Sequence, residues 1–442
     1  MSNAIAVPAS ELLRRIFALA APTTLAVALQ VIAMLAETWL AARQGTLALS
    51  AWAVVMPFTQ LMGQMSAGAM GGGVVSAIAR TLGAGKREEA AALVAHALLI
   101  ALVFAALFIL GLAIFPHAIL TAIAGPEVGA LAAPYAMVLF GVGAIPFWLT
   151  NTLGSILRGA GRHGLAARVL VAGWAAYPPL AWLCMEPLGM GLPGGGLAFG
   201  LVWWVAVLVM GAVVARGGAG FTPVLRVRLR RNLFWRILSV GLIACALATL
   251  ANLTIILVTA QLAQYSVAAV AAYGIAARME FLMIPLVFGL GSAMTALVGR
   301  AVGAGDWTTA RRTAWAGGLV AFGVASSAGL IAALAPGWVA GRFTADPDVI
   351  AVATRALRIV GPAFGGFGLG MALYFASLGA GRMRWPMAAG ISRITLGAGG
   401  GWVLAHPLGM GMDGYFWGVA LGITAYGAFT AAAVRPGVWP GR

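Results

Sequence analysis

Gly83-Ala84-Gly85 closes a long apolar segment, and the same three residues return as Gly303-Ala304-Gly305, 220 positions later. Two further matches have the same offset: Ala160-Gly161-Arg162 with Ala380-Gly381-Arg382, and Pro187-Leu188-Gly189-Met190-Gly191 with Pro407-Leu408-Gly409-Met410-Gly411. Unrelated residues separate these matches, so chance similarity is a poor explanation. The common offset predicts that the chain contains two copies of one structural unit.

The composition points to a membrane protein. Hydrophobic residues make up 62% of the chain and charged residues only 9%, and the mean hydropathy is +0.99. An ordinary soluble domain is about 25% charged, so lipid must form part of the solvent. The 61 glycines suit close approach between membrane helices.

A helix needs about 20 apolar residues to cross a bilayer, and twelve segments meet this requirement. The first copy has predicted spans at 16–41, 48–78, 91–114, 131–155, 165–184 and 194–215, and the second at 237–264, 268–298, 312–334, 350–377, 385–405 and 414–433. The first span follows Arg14-Arg15 and is too long for a cleavable signal core. Spans 48–78 and 268–298 exceed the required length, which predicts tilting or extension beyond the membrane.

An even number of spans in each copy predicts that both copies have the same orientation, as a parallel repeat. With the N-terminus inside, most arginines fall in the inner connections, and the outer connections carry only Arg43, Arg342, Arg355 and Arg358. Positive residues favour the cytoplasmic side. We therefore expect both termini in the cytoplasm of a multi-pass plasma-membrane protein, most simply in a bacterial inner membrane.

The predicted domains are an N-terminal six-helix lobe at 1–215, a basic cytoplasmic linker at 216–236 and a C-terminal six-helix lobe at 237–442. The net charge of +16 does not indicate nucleic-acid binding, because the basic residues lie at the ends of alternate spans and not in one patch. The linker either lies on anionic lipid headgroups or serves only as a topology signal.

Catalytic and metal-binding patterns are missing from the sequence. Cys184 and Cys245 both lie in apolar segments, apart from any His or Cys cluster, so neither a disulfide nor a metal site is predicted. The chain has no phosphate-binding Gly-Lys-Ser loop. We expect neither an enzyme nor a resident cofactor.

Several motifs resemble those of the multidrug and toxic compound extrusion (MATE) family. Glu37 precedes a Leu-Ala-Ala stretch and Gly45-Thr46, as in the family's first-span signature, and the segment 76–90 resembles its loop between spans two and three. The segments 157–162 and 377–382 resemble its turns between spans four and five. The resemblance implies two six-helix lobes facing a central cavity, and export coupled to entry of H⁺ or Na⁺.

Glu37 is the leading candidate for a cation-coupling residue, because ionisable residues inside spans are costly and usually functional. The family has an Asp at the matching position that is implicated in coupling. Pro22, fifteen positions earlier, is a candidate helix hinge. The alternative is that Glu37 only reaches the outer interface, near Arg43. Tyr177, Ala181 and Phe199 stand where many family members have Asn, Asp and Thr.

Glu280 is a second candidate for cation coupling. Arg278 lies two positions away and so faces a different side of the helix, whereas Arg393 in span eleven could pair with Glu280. A structural charge pair and a coupling or substrate-binding role both remain open. In the family that these motifs resemble, members that use Na⁺ often have acidic residues in spans seven and ten. Neither span has one here, so the resemblance favours protons over Na⁺ as the coupling ion.

Polar, aromatic and methionine residues inside spans are candidates for a substrate cavity. They are Gln30, Met34, Met56, Gln60, Gln64, Asn151, Tyr177, Asn252, Tyr273, Met279, Tyr374 and Arg393. Flexible methionines and flat aromatic rings suit varied amphipathic ligands, although such residues are often ordinary packing residues.

The sequence therefore predicts an all-α integral membrane protein with twelve transmembrane helices in two six-helix lobes. The leading functional hypothesis is a monomeric antiporter that exports small amphipathic or cationic organic compounds in exchange for H⁺, or less readily Na⁺. One alternative is a lipid-linked precursor flippase of the same superfamily, but only Arg278 and Arg393 could give it a cationic cavity. The other is a membrane scaffold, in which intramembrane carboxyls would have no purpose.

Overall fold

A computed structural model describes residues 8–439, and this part of the chain is built from helices. Six helices form the first half: α1 Ala9–Arg43, α2 Thr46–Gly83, α3 Arg87–Ile114, α4 Pro116–Gly159, α5 His163–Met185 and α6 Gly191–Ala215. Six more form the second: α7 Arg231–Leu262, α8 Val267–Gly303, α9 Trp307–Leu334, α10 Pro347–Ala380, α11 at 384–405 and α12 Met412–Ala433. The chain ends, predicted to be cytoplasmic, lie outside the described residues.

Each predicted span coincides with one of these helices, and only 237–264 runs past the end of its helix, by two residues. Ten of the helices are long and apolar enough to cross a membrane. The other two are α5, which contains Pro178 and Pro179, and α11, which a π-helical turn interrupts. The fold class is confirmed: this is an all-α, multi-pass membrane protein.

Three helices contain π-helical turns, at Gln64–Ala69 in α2, Leu110–Ile114 in α3 and Thr395–Gly400 in α11. A π-turn adds a residue to one turn of helix and is often found at functional sites. The helix α4 is also irregular, because Gly125 has a φ of 80° and bends the chain there. The predicted span 131–155 lies entirely after this bend.

The repeated glycine motifs are helix ends. Gly85, Gly161, Gly305 and Gly381 have φ values of 75°, 81°, 77° and 70°, which only glycine adopts at little cost. The residue after each glycine donates its backbone N–H to a carbonyl five positions earlier, as Arg162 does to Leu157 at 2.8 Å. This is the C-terminal helix cap in which a left-handed glycine lets the chain satisfy the last carbonyls. The same backbone requirement therefore explains all four copies of the motif.

The chain forms two compact units. One comprises Leu19–Leu242, and the other comprises Ile243 onward together with the part of α1 up to Ala18. In the second unit, Ile16 is buried in a cluster with Met294, Leu373 and Trp439. The predicted lobe boundaries at 215 and 237 stay a prediction.

Candidate functional site

A small pocket lies within the first unit, around Glu37. The helix α1 contributes Gln30, Met34 and Glu37, whose spacing of four and three residues places them on one face. The remaining lining residues come from four other helices: Trp52, Met56, Thr59 and Gln60 from α2, Tyr135 and Phe147 from α4, Trp174 from α5 and Phe199 from α6. Aromatic and amide side chains therefore surround a single carboxyl group.

The carboxyl of Glu37 is held by aromatic hydrogen-bond donors. The hydroxyl of Tyr135 donates to Glu37 Oε1 at 2.8 Å. The side chains of Tyr177 and Trp52 border the same carboxyl, each positioned to donate to it, and Tyr177 is only 1% exposed. Sequence reasoning found Glu37 and Tyr177 but missed Tyr135 and Trp52.

No basic side chain in the described part of the chain forms an ion pair with Glu37. A carboxylate in this surrounding has no compensating positive charge. Burying an unpaired charge is costly unless a proton or another cation neutralises it. The pocket is therefore arranged to attract a positively charged species.

An aromatic cluster closes the pocket on the side of α5 and α6. Trp174 and Trp203 lie edge to face with 4.9 Å between ring centroids, and Phe147 and Phe199 are 5.2 Å apart. Tyr177 packs against Phe199 at 5.7 Å. The two positions where the resemblance to the MATE family implies Asn and Thr are thus occupied by two rings in contact.

Several predicted cavity residues lie elsewhere. Gln64 is exposed at the start of the π-helical turn in α2. Asn151 is buried and donates from Nδ2 to Ser66 Oγ in the same turn, at 2.9 Å. Neither lines the pocket around Glu37, whereas Gln30, Met34, Met56 and Gln60 do.

The candidate hinge Pro22 lies inside α1, and its neighbour Thr23 is buried. Thr23 Oγ1 is 3.3 Å from Nδ1 of His163, the first residue of α5. The N-terminal half of α1 is thereby linked to the start of α5, directly after a glycine turn. The role of Pro22 as a hinge stays a prediction.

The second unit contains an ion pair between Glu280 Oε1 and Arg393 Nη2. Both side chains are largely buried, at 12% and 10% exposure. The guanidinium also lies over the rings of Phe367 and Tyr426, with its carbon 5.5 Å and 5.8 Å from the centroids. Arg278 is exposed on another face of α8, as its spacing from Glu280 predicts.

The other three cavity candidates in this unit, Tyr273, Asn252 and Tyr374, lie in different surroundings. Tyr273 is buried in the hydrophobic cluster of the unit, with Met279 packed against it. Asn252 is exposed and donates from Nδ2 to Ala248 O of its own helix at 2.8 Å. Tyr374 is buried at the edge of Phe375.

Metal binding finds no support in the described residues, where no group of three or more His, Cys, Asp or Glu side chains is close enough to hold an ion. Cys184 is buried and Cys245 partly buried, and neither forms a disulfide.

A protein-family model, MatE, matches residues 22–183 and again residues 242–403. The two matched ranges are 220 residues apart, the same offset as the repeated motifs, so they confirm the duplication. No curated protein matches the chain.

Solved structures share the fold along almost the whole chain. The Vibrio cholerae MATE transporter VcmN in its bent form is 21% identical, with a TM-score of 0.88 over 96% of this chain and 97% of that one. A MOP superfamily transporter from Pyrococcus furiosus is 22% identical, with a TM-score of 0.86 over 95% of this chain and 94% of that one. A reversed polarity of the binding pocket is described for that protein. An outward-facing multidrug resistance MATE transporter of the MOP superfamily is also 22% identical, with a TM-score of 0.85 over 95% of each chain.

Proposed function

Because the chain belongs to the MatE family of multidrug and toxic compound extrusion transporters, we propose that it is a secondary active antiporter for small amphipathic or cationic organic compounds. The family is one of transporters and not of enzymes, so the pocket around Glu37 is a binding site and not a catalytic one. The proposal rests on one observation: Glu37 lies in an aromatic pocket without a positively charged partner among the described residues.

The lining of this pocket favours organic cations. The faces of Trp52, Trp174 and Phe147 are electron-rich and attract positive charge. Met34 and Met56 add flexible apolar surface that adapts to different ligand shapes.

The donors around Glu37 favour a proton over Na⁺ as the coupling ion. A bound Na⁺ would need several oxygen atoms with free lone pairs. The Tyr135 hydroxyl directs its hydrogen to the carboxyl, and the indole of Trp52 can only donate. A proton binds to a single oxygen of Glu37, so the neighbouring side chains need not rearrange to provide further oxygen ligands.

Proton and substrate would then compete for the same carboxyl. When Glu37 is protonated, the pocket loses its negative charge and its attraction for an organic cation. When the proton leaves, the carboxylate attracts the next cation. With the N-terminus in the cytoplasm, Glu37 lies in the outer half of α1, where it would take up a proton from outside. We place the protein in a plasma membrane, such as a bacterial inner membrane, in this orientation.

Glu280 remains a candidate for a second coupling residue, but Arg393 already supplies its counter-charge. Ion exchange at Glu280 would first require this pair to open. A structural role in the second unit is therefore the simpler assignment. The same pairing weakens the flippase alternative, because Arg393 is not free to form a cationic cavity and Arg278 is exposed.

The test is transport in proteoliposomes of the purified protein, with a fluorescent organic cation as the substrate. We expect an imposed pH gradient to drive transport and an imposed Na⁺ gradient to have no effect. Glu37→Gln keeps the side-chain size but cannot exchange a proton, so pH-driven transport should be lost. Glu88→Gln, at an exposed position at the start of α3, is the control and should transport normally. Transport driven by Na⁺ alone, or unchanged by Glu37→Gln, would contradict the proposal.

A further inference from the structure

The segment that joins α6 to α7 carries an unusual combination of exposed side chains. Between residues 222 and 230 it is neither helix nor strand. Arg226, Arg228 and Arg230, and Arg231 at the start of α7, are all exposed. The stretch 216–236 contains no Asp or Glu, and none of these four arginines forms an ion pair within the described part of the chain.

Apolar side chains are exposed between the arginines. Leu225 is 62% exposed, Leu229 60% and Trp235 65%. Exposed apolar residues are expected where helices face lipid tails, but Leu225 and Leu229 lie outside the helices that cross the membrane. A topology signal needs positive charge only, so it does not account for these side chains.

The segment is held in place by α3. The backbone N–H of Val224 donates to Ala91 O at 3.3 Å, and that of Arg230 donates to His96 Nε2 at 2.9 Å. Arg236 forms an ion pair with Glu89 at 3.0 Å. These contacts fix the segment beside the first ten residues of α3. The predicted span in this helix begins at residue 91, so we expect the exposed arginines and leucines to lie near the level of the membrane surface.

We propose that residues 222–236 form a docking surface for anionic phospholipid headgroups. The phosphates would pair with Arg226, Arg228, Arg230 and Arg231, while Leu225, Leu229 and Trp235 would enter the region of the upper acyl chains. This division matches the chemistry of the bilayer interface, where basic side chains reach phosphates and tryptophan is favoured. The four arginines have no acidic partner among the described residues, and the lipid phosphates would supply the missing negative charge.

The experiment is hydrogen exchange of the full-length protein in nanodiscs of phosphatidylcholine, with and without phosphatidylglycerol. We expect the amides of 222–230 to exchange more slowly when the anionic lipid is present, and this protection to decrease as the salt concentration rises. Equal exchange in both lipid compositions would overturn the proposal. This comparison needs no variant, so it holds even if a substituted protein folds poorly.

The double variant Arg226→Gln/Arg228→Gln tests whether these arginines bind the anionic headgroups. Each arginine near an anionic surface contributes about fivefold in affinity, so the double variant should bind the headgroups about 25-fold more weakly and lose most of the protection at the same lipid composition. The control Arg162→Gln/Arg168→Gln removes the same charge from exposed positions elsewhere, and it should leave protection of 222–230 unchanged. An equal loss of amide protection in both double variants would overturn the proposal. Protection of 222–230 by a soluble RNA oligonucleotide, without protection by the anionic lipid, would also overturn it.

Discussion

Tyr135 on α4 donates its hydroxyl to Glu37 on α1, with 2.8 Å between Oη and Oε1. The two residues are 98 positions apart, so only the packing of the two helices brings them together. The hydroxyl stabilises the charged carboxylate, which is the form that must exist each time the proton has left. In the proposed cycle, the bond therefore acts in the step in which Glu37 becomes free for a substrate cation.

Replacing this donor should slow transport. A hydrogen bond to a charged group contributes about 1.5–3 kcal/mol, so Tyr135→Phe should lower the initial rate of pH-driven transport by at least about tenfold. The measurement is uptake of a fluorescent organic cation into proteoliposomes. Tyr265→Phe, in an exposed residue of the second unit, is the control for loss of a tyrosine hydroxyl. Equal losses in the two variants would show that the bond from Tyr135 has no special role.

The ion pair between Glu280 and Arg393 should contribute to stability. Removing one partner of a buried pair costs about 3–5 kcal/mol, because the other charge remains unpaired. Arg393→Met should therefore lower the melting temperature in detergent strongly, and Glu280→Gln/Arg393→Met should recover most of the loss. Arg278→Gln, at the exposed position two residues from Glu280, should change little.

The same variants decide whether Glu280 takes part in coupling. If its role is structural, the stable double variant Glu280→Gln/Arg393→Met keeps pH-driven transport. A stable double variant that no longer transports would instead assign Glu280 a direct part in ion exchange.

The glycine caps should tolerate no side chain, even where space is available. An added Cβ meets no atom within 4 Å at Gly305 or at Gly323. Gly305 has a φ of 77°, however, whereas Gly323 lies inside α9 with ordinary helical geometry. We expect Gly305→Ala to lower the free energy of unfolding by about 1–2 kcal/mol and Gly323→Ala to leave it unchanged or raise it by up to about 1 kcal/mol. Equal effects in a chemical denaturation experiment would contradict the backbone explanation.

Acid should weaken one contact at the ends of α1 and α5. Arg43 Nε donates to Glu186 Oε1 at 2.6 Å, and this bond lowers the pKa of Glu186 below its usual value. Because the folded-state pKa is the lower one, the contact stabilises the protein above the ordinary pKa of Glu, and the effect is lost as the pH falls through the folded-state pKa. Both groups are exposed, so the contribution is small and sensitive to salt.

The variant Arg43→Gln makes this contact measurable. Its melting temperature should lie slightly below that of the unsubstituted protein at neutral pH, and the two should converge in acid. Raising the salt concentration at neutral pH should also bring them together. A difference that persists in acid would indicate that Arg43 acts in another way, such as through its contact with the Trp39 ring.

The twelve helices could be predicted because the length and hydropathy of each span are local properties of the sequence. The glycine turns could be predicted for the same reason, since a single residue type satisfies their backbone angles. Glu37 was found because a carboxyl inside an apolar span is rare. The partner of Glu280 could be anticipated because Arg393 is one of few basic residues within a span.

The surroundings of Glu37 could not be read from the sequence. Tyr135 and Trp52 are aromatic residues in apolar helices, where most such residues simply pack, and their approach to the acid depends on how three helices are rotated. Gln64 and Asn151 are cavity candidates only because they are polar residues inside predicted spans, and this criterion does not determine which side of the helix faces a cavity. The π-helical turn at Gln64–Ala69 has no clear sequence signature, and it gives Asn151 a hydrogen-bond partner, Ser66, inside that turn.

The pairing of Glu280 with Arg393 also has an electrical consequence. Arg393 already balances Glu280, so in the proposed cycle Glu37 exchanges its charge alone. One proton entering for each monovalent cation leaving moves no net charge across the bilayer, and such a cycle would draw on the pH difference while ignoring the membrane voltage. A divalent organic cation would break this balance, and its export would then be opposed by an inside-negative voltage, by about 2.3 kcal/mol per 100 mV for the uncompensated charge.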